Sequence, residues 1–160
     1  AVKAIENLRN KFPVTNNMII QGVKKAKIKA RFEKIKIGDK IVILDVAHNP
    51  AAVKSLVETL SENPVETVAI FSALVDKNIV DMIELASGSI KHWYLVPIKA
   101  ERSIEPKALK EKFVNSGPTT VCLNMRSAIE QSLKLEGVNR VVIFGSFYTI
   151  AAASKIIKKI

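Results

Sequence analysis

The chain has 160 residues, of which 48% are apolar, and this is enough for one domain with its own core. Cys122 is the only cysteine, which excludes an internal disulfide, and no apolar run approaches the roughly 20 residues that span a bilayer. We therefore expect a cytoplasmic protein with no membrane segment. The chain opens on Ala1 rather than Met, which suggests a piece of a longer protein.

The formal net charge of +10 is concentrated near the start, because residues 1–40 hold 11 Lys and Arg against three acids. This basic segment has two interpretations: a surface for nucleic acid or another polyanion, or a solvated face beside a further domain. Aromatic residues are not interleaved with the charges, and no nucleic-acid motif is present. We therefore favour the second interpretation and predict no nucleic-acid partner.

The first 28 residues predict two short helices. An amphipathic pattern covers residues 1–11, Pro13 ends it, and Thr15 is placed to cap a second helix. Two helices of this size cannot enclose a core. We predict that residues 1–28 are the tail of an upstream domain with its linker, and that residues 29–160 form the domain proper.

A β-hairpin and then a repeated strand–helix alternation follow. A short strand through Ile37, a turn at Gly38–Asp39 and the apolar run Ile41–Leu44 form the hairpin. Later strands are predicted at 65–71, 93–96, 119–123 and 141–144, and helices at 53–60, 79–86, 106–113, 125–135 and 150–160. This alternation predicts an α/β, Rossmann-like domain, with a mostly parallel sheet and helices on both faces.

Ligands in such sheets gather at the carboxyl ends of the strands, so the residues after each apolar run are the candidates. The first run ends at Asp45, a carboxylate that can accept hydrogen bonds from sugar hydroxyls. His48 follows and can exchange a proton near neutral pH, and Asn49 can cap the helix that Pro50 begins. A buried Asp–His pair that only ties the loop explains the pattern equally well.

Two later strand ends carry weaker signals. Asp76 and Lys77 follow the second long strand and can face the same edge, although a helix cap and a solvated lysine explain them better. Gly145 permits close approach of a ligand, and Ser146 begins a helix whose free N–H groups favour an anion. A helix cap alone explains Ser146 equally well.

Other polar residues predict structure rather than function. His92, Trp93 and Cys122 are expected in the core, and the polar loop 99–103 is expected on the surface, although it can reach the strand ends. The sequence has no G-x-x-x-x-G-K-S/T phosphate loop, no G-x-G-x-x-G, no nucleophile elbow and no metal-ligand cluster. We predict no metal site on this chain.

Four segments in order resemble the C-terminal domain of the Mur ligase superfamily, and in particular of folylpolyglutamate and dihydrofolate synthases. The family patterns G-R-F-E, D-G-A-H-N, F-G-x-L-x-D-K-D and F-G-S-x-Y are similar to segments 30–33, 45–49, 71–78 and 144–148. Here Ala30, Val46 and Ser72 replace glycines, and Asn78 replaces the last Asp.

The resemblance implies an ATP-dependent ligase that adds glutamate to folate through an acyl phosphate. ATP and Mg²⁺ would be held mainly by a missing central domain. Arg31 and Asp45 would bind the nucleotide from this side, with Asn49, Asp76 and Lys77 lining the same cleft. His48 and Ser146 would face the glutamate, and the isolated chain would be inactive.

Three other functions remain open at this stage. A different Mur-type ligase is one, although the ending Phe144–Tyr148 favours the folate branch. A non-catalytic Rossmann-like binding module is the second, and a basic polynucleotide-binding protein is the third.

Overall fold

A computed structural model describes residues 2–8, 10–26 and 28–160 of the chain. Within these ranges, six strands form a single sheet: β1 (Glu33–Ile37), β2 (Lys40–Leu44), β3 (Thr67–Phe71), β4 (His92–Leu95), β5 (Thr119–Val121) and β6 (Arg140–Phe144). The helices are α1 (Val2–Asn7), α2 (Asn16–Lys25), α3 (Pro50–Ser61), α4 (Ile79–Ser87), α5 (Pro106–Lys110), α6 (Met125–Lys134) and α7 (Phe147–Ile157). No helix in these ranges has the length and apolar character that a bilayer crossing requires.

The strand order is β1-β2-β6-β3-β4-β5. Only β1 runs antiparallel to its neighbour, and the two-residue turn at Gly38–Asp39 joins it to β2. The other four pairings are parallel, with Leu44 opposite Ile143 and Phe71 opposite Phe144. The carboxyl ends of β2, β6 and β3 therefore lie side by side at one edge of the sheet.

Helices cover both faces of the sheet, as the alternation predicted. Core residues of α3, α4 and α5 pack on one face around Phe71, Trp93 and Phe144. Core residues of α6 and α7 pack on the other face. The central strands are buried on both faces, which explains their unbroken apolar sequence. The predicted fold class is confirmed.

Several element boundaries differ from the prediction. Strand β3 begins two residues late, at Thr67, because Val65 is exposed and its carbonyl accepts a hydrogen bond from the Thr67 hydroxyl. Helix α5 and strand β5 end early, at Lys110 and Val121, while α7 begins early, at Phe147.

Trp93 and Cys122 lie in the core as predicted, whereas His92, at the start of β4, is only partly buried. Trp93 is fully buried and its indole N–H donates to the carbonyl of Ser116. Cys122 is buried, and burial raises the pKa of its thiol. His92 is half-buried beside the hydroxyl of Thr120, and burial lowers its pKa from 6.5.

The described residues of the two N-terminal helices are little buried. Thr15 caps α2 as predicted, since its hydroxyl accepts from the N–H of Met18 at 3.2 Å. Helix α1 buries none of its described residues, and α2 buries only Ile19. Large apolar side chains in this part of the chain stay exposed: Phe12, Met18, Val23 and Ile28. Ala1, Arg9 and Lys27 lie outside the described residues, so parts of the predicted first helix and linker do too.

Candidate functional site

The end of β2 is organised by Asp45, which bonds two loops at once. One carboxylate oxygen accepts from the N–H of Phe32 at 2.8 Å, and the other accepts from the N–H of Ala47 at 2.8 Å. The first bond reaches back to the turn before β1, and the second fixes the loop that leads to His48. Asp45 is half-buried, and each of its oxygens retains a second lone pair for a ligand.

The turn before β1 is strained. Ala30 has φ 59° and Phe32 has φ 47°, a left-handed conformation that costs a non-glycine residue about 1–2 kcal/mol. Three hydrogen bonds stabilise it: from the Phe32 N–H to Asp45, from the Ala30 N–H to the Glu33 carboxylate at 2.8 Å, and from the Val46 N–H to the Ala30 carbonyl at 2.9 Å. The family pattern has glycine at position 30, and this geometry explains why.

Arg31 is at the centre of this turn. Its side chain is exposed, and it makes no hydrogen bond or ion pair with the described residues. The strained turn therefore presents a cation beside the end of β2.

Val46 stands where the family pattern has another glycine. Its side chain is buried in the same core cluster as residues of α7, so this replacement fills core space.

His48 is held in one tautomer. Its Nδ1 lies 2.8 Å from the carbonyl oxygen of Val46, and since a carbonyl only accepts, Nδ1 carries the proton in the neutral ring. Nε2 is then an acceptor with no partner in the described part of the chain. The ring packs against Phe147 of α7, with centroids 5.9 Å apart. This arrangement suits a group that binds or deprotonates an amine.

Asn49 is the N-cap of α3, as predicted. Its side-chain oxygen accepts from the N–H of Ala52 at 2.9 Å, and Pro50 occupies the first turn. The cap fixes where α3 begins, and this fixes the end of the loop that carries His48. A contact between Asn49 and a nucleotide stays a prediction.

Ser146 caps α7 and is buried, with 3% of the residue exposed. Its hydroxyl is hydrogen-bonded within the chain. It accepts from the N–H of Thr149 at 3.0 Å and shares a hydrogen bond with the Thr149 hydroxyl at 2.7 Å. The Thr149 hydroxyl in turn contacts the hydroxyl of Ser72 at 2.5 Å, which joins the ends of β6 and β3. A direct contact between the Ser146 hydroxyl and a substrate stays a prediction. The N–H groups of Phe147 and Tyr148, in the first turn of α7, have no intrahelical partner and can donate to a ligand.

Gly145 lies at the point where three loops meet. Its N–H donates to the carbonyl of Ala47 at 2.9 Å, and its φ is +118°. A Cβ built there would lie 1.9 Å from the carbonyl oxygen of Ser72 and 2.9 Å from a ring carbon of Phe71. The sequence assigned this glycine to close approach of a ligand. In the structure, the group that approaches it is the chain's own backbone.

A second polar cluster lies at the ends of β3 and β4. One oxygen of Asp76 pairs with Lys77 at 3.0 Å and with Arg102 at 3.3 Å. The hydrogen bond from Lys77 is the main cause that lowers the pKa of Asp76 below its ordinary 3.8, although partial burial opposes it and Arg102 assists. Sequence analysis did not identify Arg102 as a site residue. The one indication was its place in the polar loop 99–103, which follows a predicted strand. Asn78, not Asp76, occupies the N-cap position of α4.

The carboxylates at this edge do not fit a Mg²⁺ site. Mg²⁺ prefers several oxygen ligands in octahedral geometry, whereas Asp45 binds backbone N–H groups and Asp76 is ion-paired. Within residues 2–8, 10–26 and 28–160, no three His, Cys, Asp or Glu side chains lie close enough to hold a metal.

Two grooves in the described part of the chain lie away from Asp45 and His48. One, of about 760 Å³, is at the opposite edge of the sheet, lined by Leu60, Thr67, Lys91 and Arg140 among others. Arg140 is buried there and caps the end of α3 through the carbonyls of Leu60 and Asn63. The other, of about 570 Å³, is at the carboxyl ends of β4 and β5, lined by Pro97, Pro106 and Cys122 among others. The candidate functional site is the carboxyl edge, because Arg31, which has no partner among the described residues, the tautomer-fixed His48 and the free amides of α7 lie there.

Comparisons with known proteins agree with the fold and with the motifs. The family described as "Mur ligase, glutamate ligase domain" matches residues 30–147. The dihydrofolate synthase/folylpolyglutamate synthase of Escherichia coli K12 is 28% identical over 146 residues, which are 90% of this chain and 34% of that protein. The protein of the same name from Buchnera aphidicola subsp. Acyrthosiphon pisum (strain APS) is 28% identical over 145 residues, which are 89% of this chain and 35% of that protein. The chain thus spans about a third of the length of these curated relatives.

Solved structures of folylpolyglutamate/dihydrofolate synthases have the same fold over most of this chain. The bifunctional synthase of Yersinia pestis CO92 superposes with a TM-score of 0.81 at 27% identity, covering 92% of this chain and 35% of that one. E. coli FolC in complex with DHPP and ADP superposes with a TM-score of 0.82 at 26% identity, covering 91% and 35%. A bifunctional synthase with Mn, AMPPNP and L-glutamate bound gives 0.80 at 29% identity, covering 92% and 36%. With the family match over residues 30–147, these results show that the chain belongs to the Mur ligase family and carries its glutamate ligase domain.

Proposed function

We propose that this chain is the glutamate-facing part of an ATP-dependent ligase that adds glutamate to a folate carboxylate. The observation that carries the proposal is the arrangement at the carboxyl edge of β2 and β6. Asp45 fixes the turn that presents Arg31 and the loop that presents His48, and the start of α7 lies beside them. The cation Arg31 suits nucleotide phosphates, the base His48 suits an amine, and the free N–H groups of α7 suit a carboxylate.

The reaction divides into two steps. The γ-phosphate of ATP passes to the folate carboxylate, which gives an acyl phosphate and ADP. The amine of glutamate then attacks the acyl carbon, and the tetrahedral intermediate collapses to an amide and phosphate. Acyl phosphates hydrolyse when water reaches them, so closure of this domain over the nucleotide protects the intermediate and brings the two reactants together.

Each candidate residue has a proposed role in that closed state. Arg31 pairs with nucleotide phosphates, and the free lone pairs of Asp45 accept from ribose hydroxyls. Neutral Nε2 of His48 accepts a hydrogen bond from the attacking amine. Ser146 orients α7 so that its first-turn N–H groups meet a glutamate carboxylate. Asn49, Asp76 and Lys77 line the rest of the cleft.

An upstream part of the protein supplies the remaining machinery. ATP and Mg²⁺ would be held mainly there, and Mg²⁺ would neutralise phosphate charge. Residues 1–28 would be the tail of that part and residues 29–160 the ligase domain. The exposed apolar side chains Phe12, Met18, Val23 and Ile28 fit this assignment, since such a cluster is expected to be covered by another surface. The basic segment would then lie near the triphosphate and anionic folate. The expected compartment is the cytoplasm.

A phosphate-release assay with ATP, folate substrate and glutamate tests the proposal on two proteins. The isolated 160-residue chain should release no phosphate, and clear turnover would contradict the division of labour. A fusion in which residues 29–160 replace the C-terminal third of the E. coli relative should show phosphate release that needs glutamate. A fusion that folds and binds ATP, yet stays inactive with glutamate, would refute the proposed function.

A further inference from the structure

The loop after β4 is joined to the loop after β3 through its backbone. The N–H of Val75 donates to the carbonyl of Arg102 at 2.9 Å, and the N–H of Ile104 donates to the carbonyl of Ala73 at 3.1 Å. Leu74 and Ser103 form an antiparallel bridge between them. The backbone of the loop that carries Arg102 is therefore fixed beside the loop that carries Asp76 and Lys77.

Two cations meet one carboxylate at this point. Lys77 and Arg102 both pair with the same oxygen of Asp76, at 3.0 and 3.3 Å. The cluster thus keeps one net positive charge. The Arg102 side chain is 63% exposed, and a guanidinium has five N–H donors, so most of them remain available to a ligand.

We propose that Arg102 is a specificity-determining residue, which binds the carboxylate of the incoming glutamate that the first turn of α7 leaves free. This inference rests on the proposed function. A dicarboxylic amino acid needs two anion-binding groups. The free N–H groups at the start of α7 and the exposed Arg102 guanidinium offer two such groups at the same edge of the sheet. Arginine suits the task because its planar fork matches a carboxylate with two parallel hydrogen bonds.

Binding of glutamate to the isolated chain, followed by NMR, tests this assignment. In the wild type, glutamate should shift the amide resonances of residues 72–78 and 99–104. Arg102→Gln should weaken glutamate binding about threefold to tenfold, whereas glutamine, which lacks the second carboxylate, should bind with little change. Arg102→Lys should recover part of the loss. Lys99→Gln, on the same loop, removes an exposed charge that is not paired with Asp76 and should have little effect.

A double variant separates substrate binding from charge balance. If Arg102 only neutralises Asp76, then Asp76→Asn combined with Arg102→Gln should restore glutamate affinity. Our assignment requires the double variant to stay weak for glutamate. Restored affinity, or an Arg102→Gln variant that binds glutamate like the wild type, would overturn it.

Failure here is distinguishable from failure of the proposed function. If glutamate shifts only residues near His48 and the start of α7, Arg102 has no role but the ligase proposal stands. If glutamate shifts no residue of the isolated chain, the Arg102 assignment falls. Glutamate-dependent phosphate release by the fusion protein would then still decide the ligase proposal independently.

Discussion

Replacing Gly145 with alanine tests the packing that brings the site loops together. The added Cβ would lie 1.9 Å from the Ser72 carbonyl oxygen, which is backbone and cannot rotate away. The φ of +118° adds strain for any residue with a Cβ. Strain of about 1 kcal/mol or more, together with overpacking of about 1–3 kcal/mol, gives a predicted loss near 3 kcal/mol.

Thermal unfolding followed by circular dichroism measures this loss. For a chain of this length, about 3 kcal/mol corresponds to a fall in Tm of roughly 6–12 °C. Gly38→Ala is the matched control, because Gly38 also has positive φ (+60°) but has nothing within 4 Å of its missing Cβ. It should cost only about 1 kcal/mol of strain. If Gly145→Ala were no more destabilising than Gly38→Ala, the close-approach argument would be wrong.

Two further predictions concern strain and charge at the same edge. Ala30→Gly should raise the free energy of unfolding by about 0.5–1 kcal/mol, because it removes the strain of a left-handed alanine at a smaller cost in backbone entropy. Asn115→Gly (φ 60°) should raise it less, since asparagine tolerates this region of φ. Urea unfolding of both variants measures the difference. The lowered pKa of Asp76 means that its ion pairs stabilise the fold above about pH 4 and that this contribution is lost as the pH falls below its ordinary 3.8. Asp76→Asn should therefore reduce the pH dependence of the free energy of unfolding between about pH 5 and pH 2.5. An unchanged pH dependence would contradict the role of these ion pairs.

The fold could be predicted largely because its signals are local. Apolar runs such as Val141–Phe144 alternate with amphipathic segments such as 53–60, and that alternation is enough to indicate a parallel sheet with helices on both faces. The caps Thr15 and Asn49 were also readable, since a capping side chain bonds to a backbone N–H three residues away. Boundaries were less predictable, because exposure of residues such as Val65 is decided by neighbours distant in sequence.

The site was only partly predictable, because its geometry depends on long-range contacts. Asp45 and His48 stand out at a strand end, but the bond from Asp45 back to Phe32, 13 residues earlier, cannot be read from spacing. Arg102 joins Asp76 only because two loops pair across adjacent strands. The burial of the Ser146 hydroxyl likewise depends on Ser72, which lies on a different strand end.

We expect the carboxyl edge of β2 and β6 to bind the substrates, with His48 as its tautomer-fixed base. The most direct test is glutamate-dependent phosphate release by the fusion protein carrying His48→Ala, compared with His92→Gln, which changes the chain's other histidine. We predict a loss of about 100-fold or more in kcat for His48→Ala, in the range expected for a lost general base, and near-normal turnover for His92→Gln. Equal activity of the two variants would contradict the account.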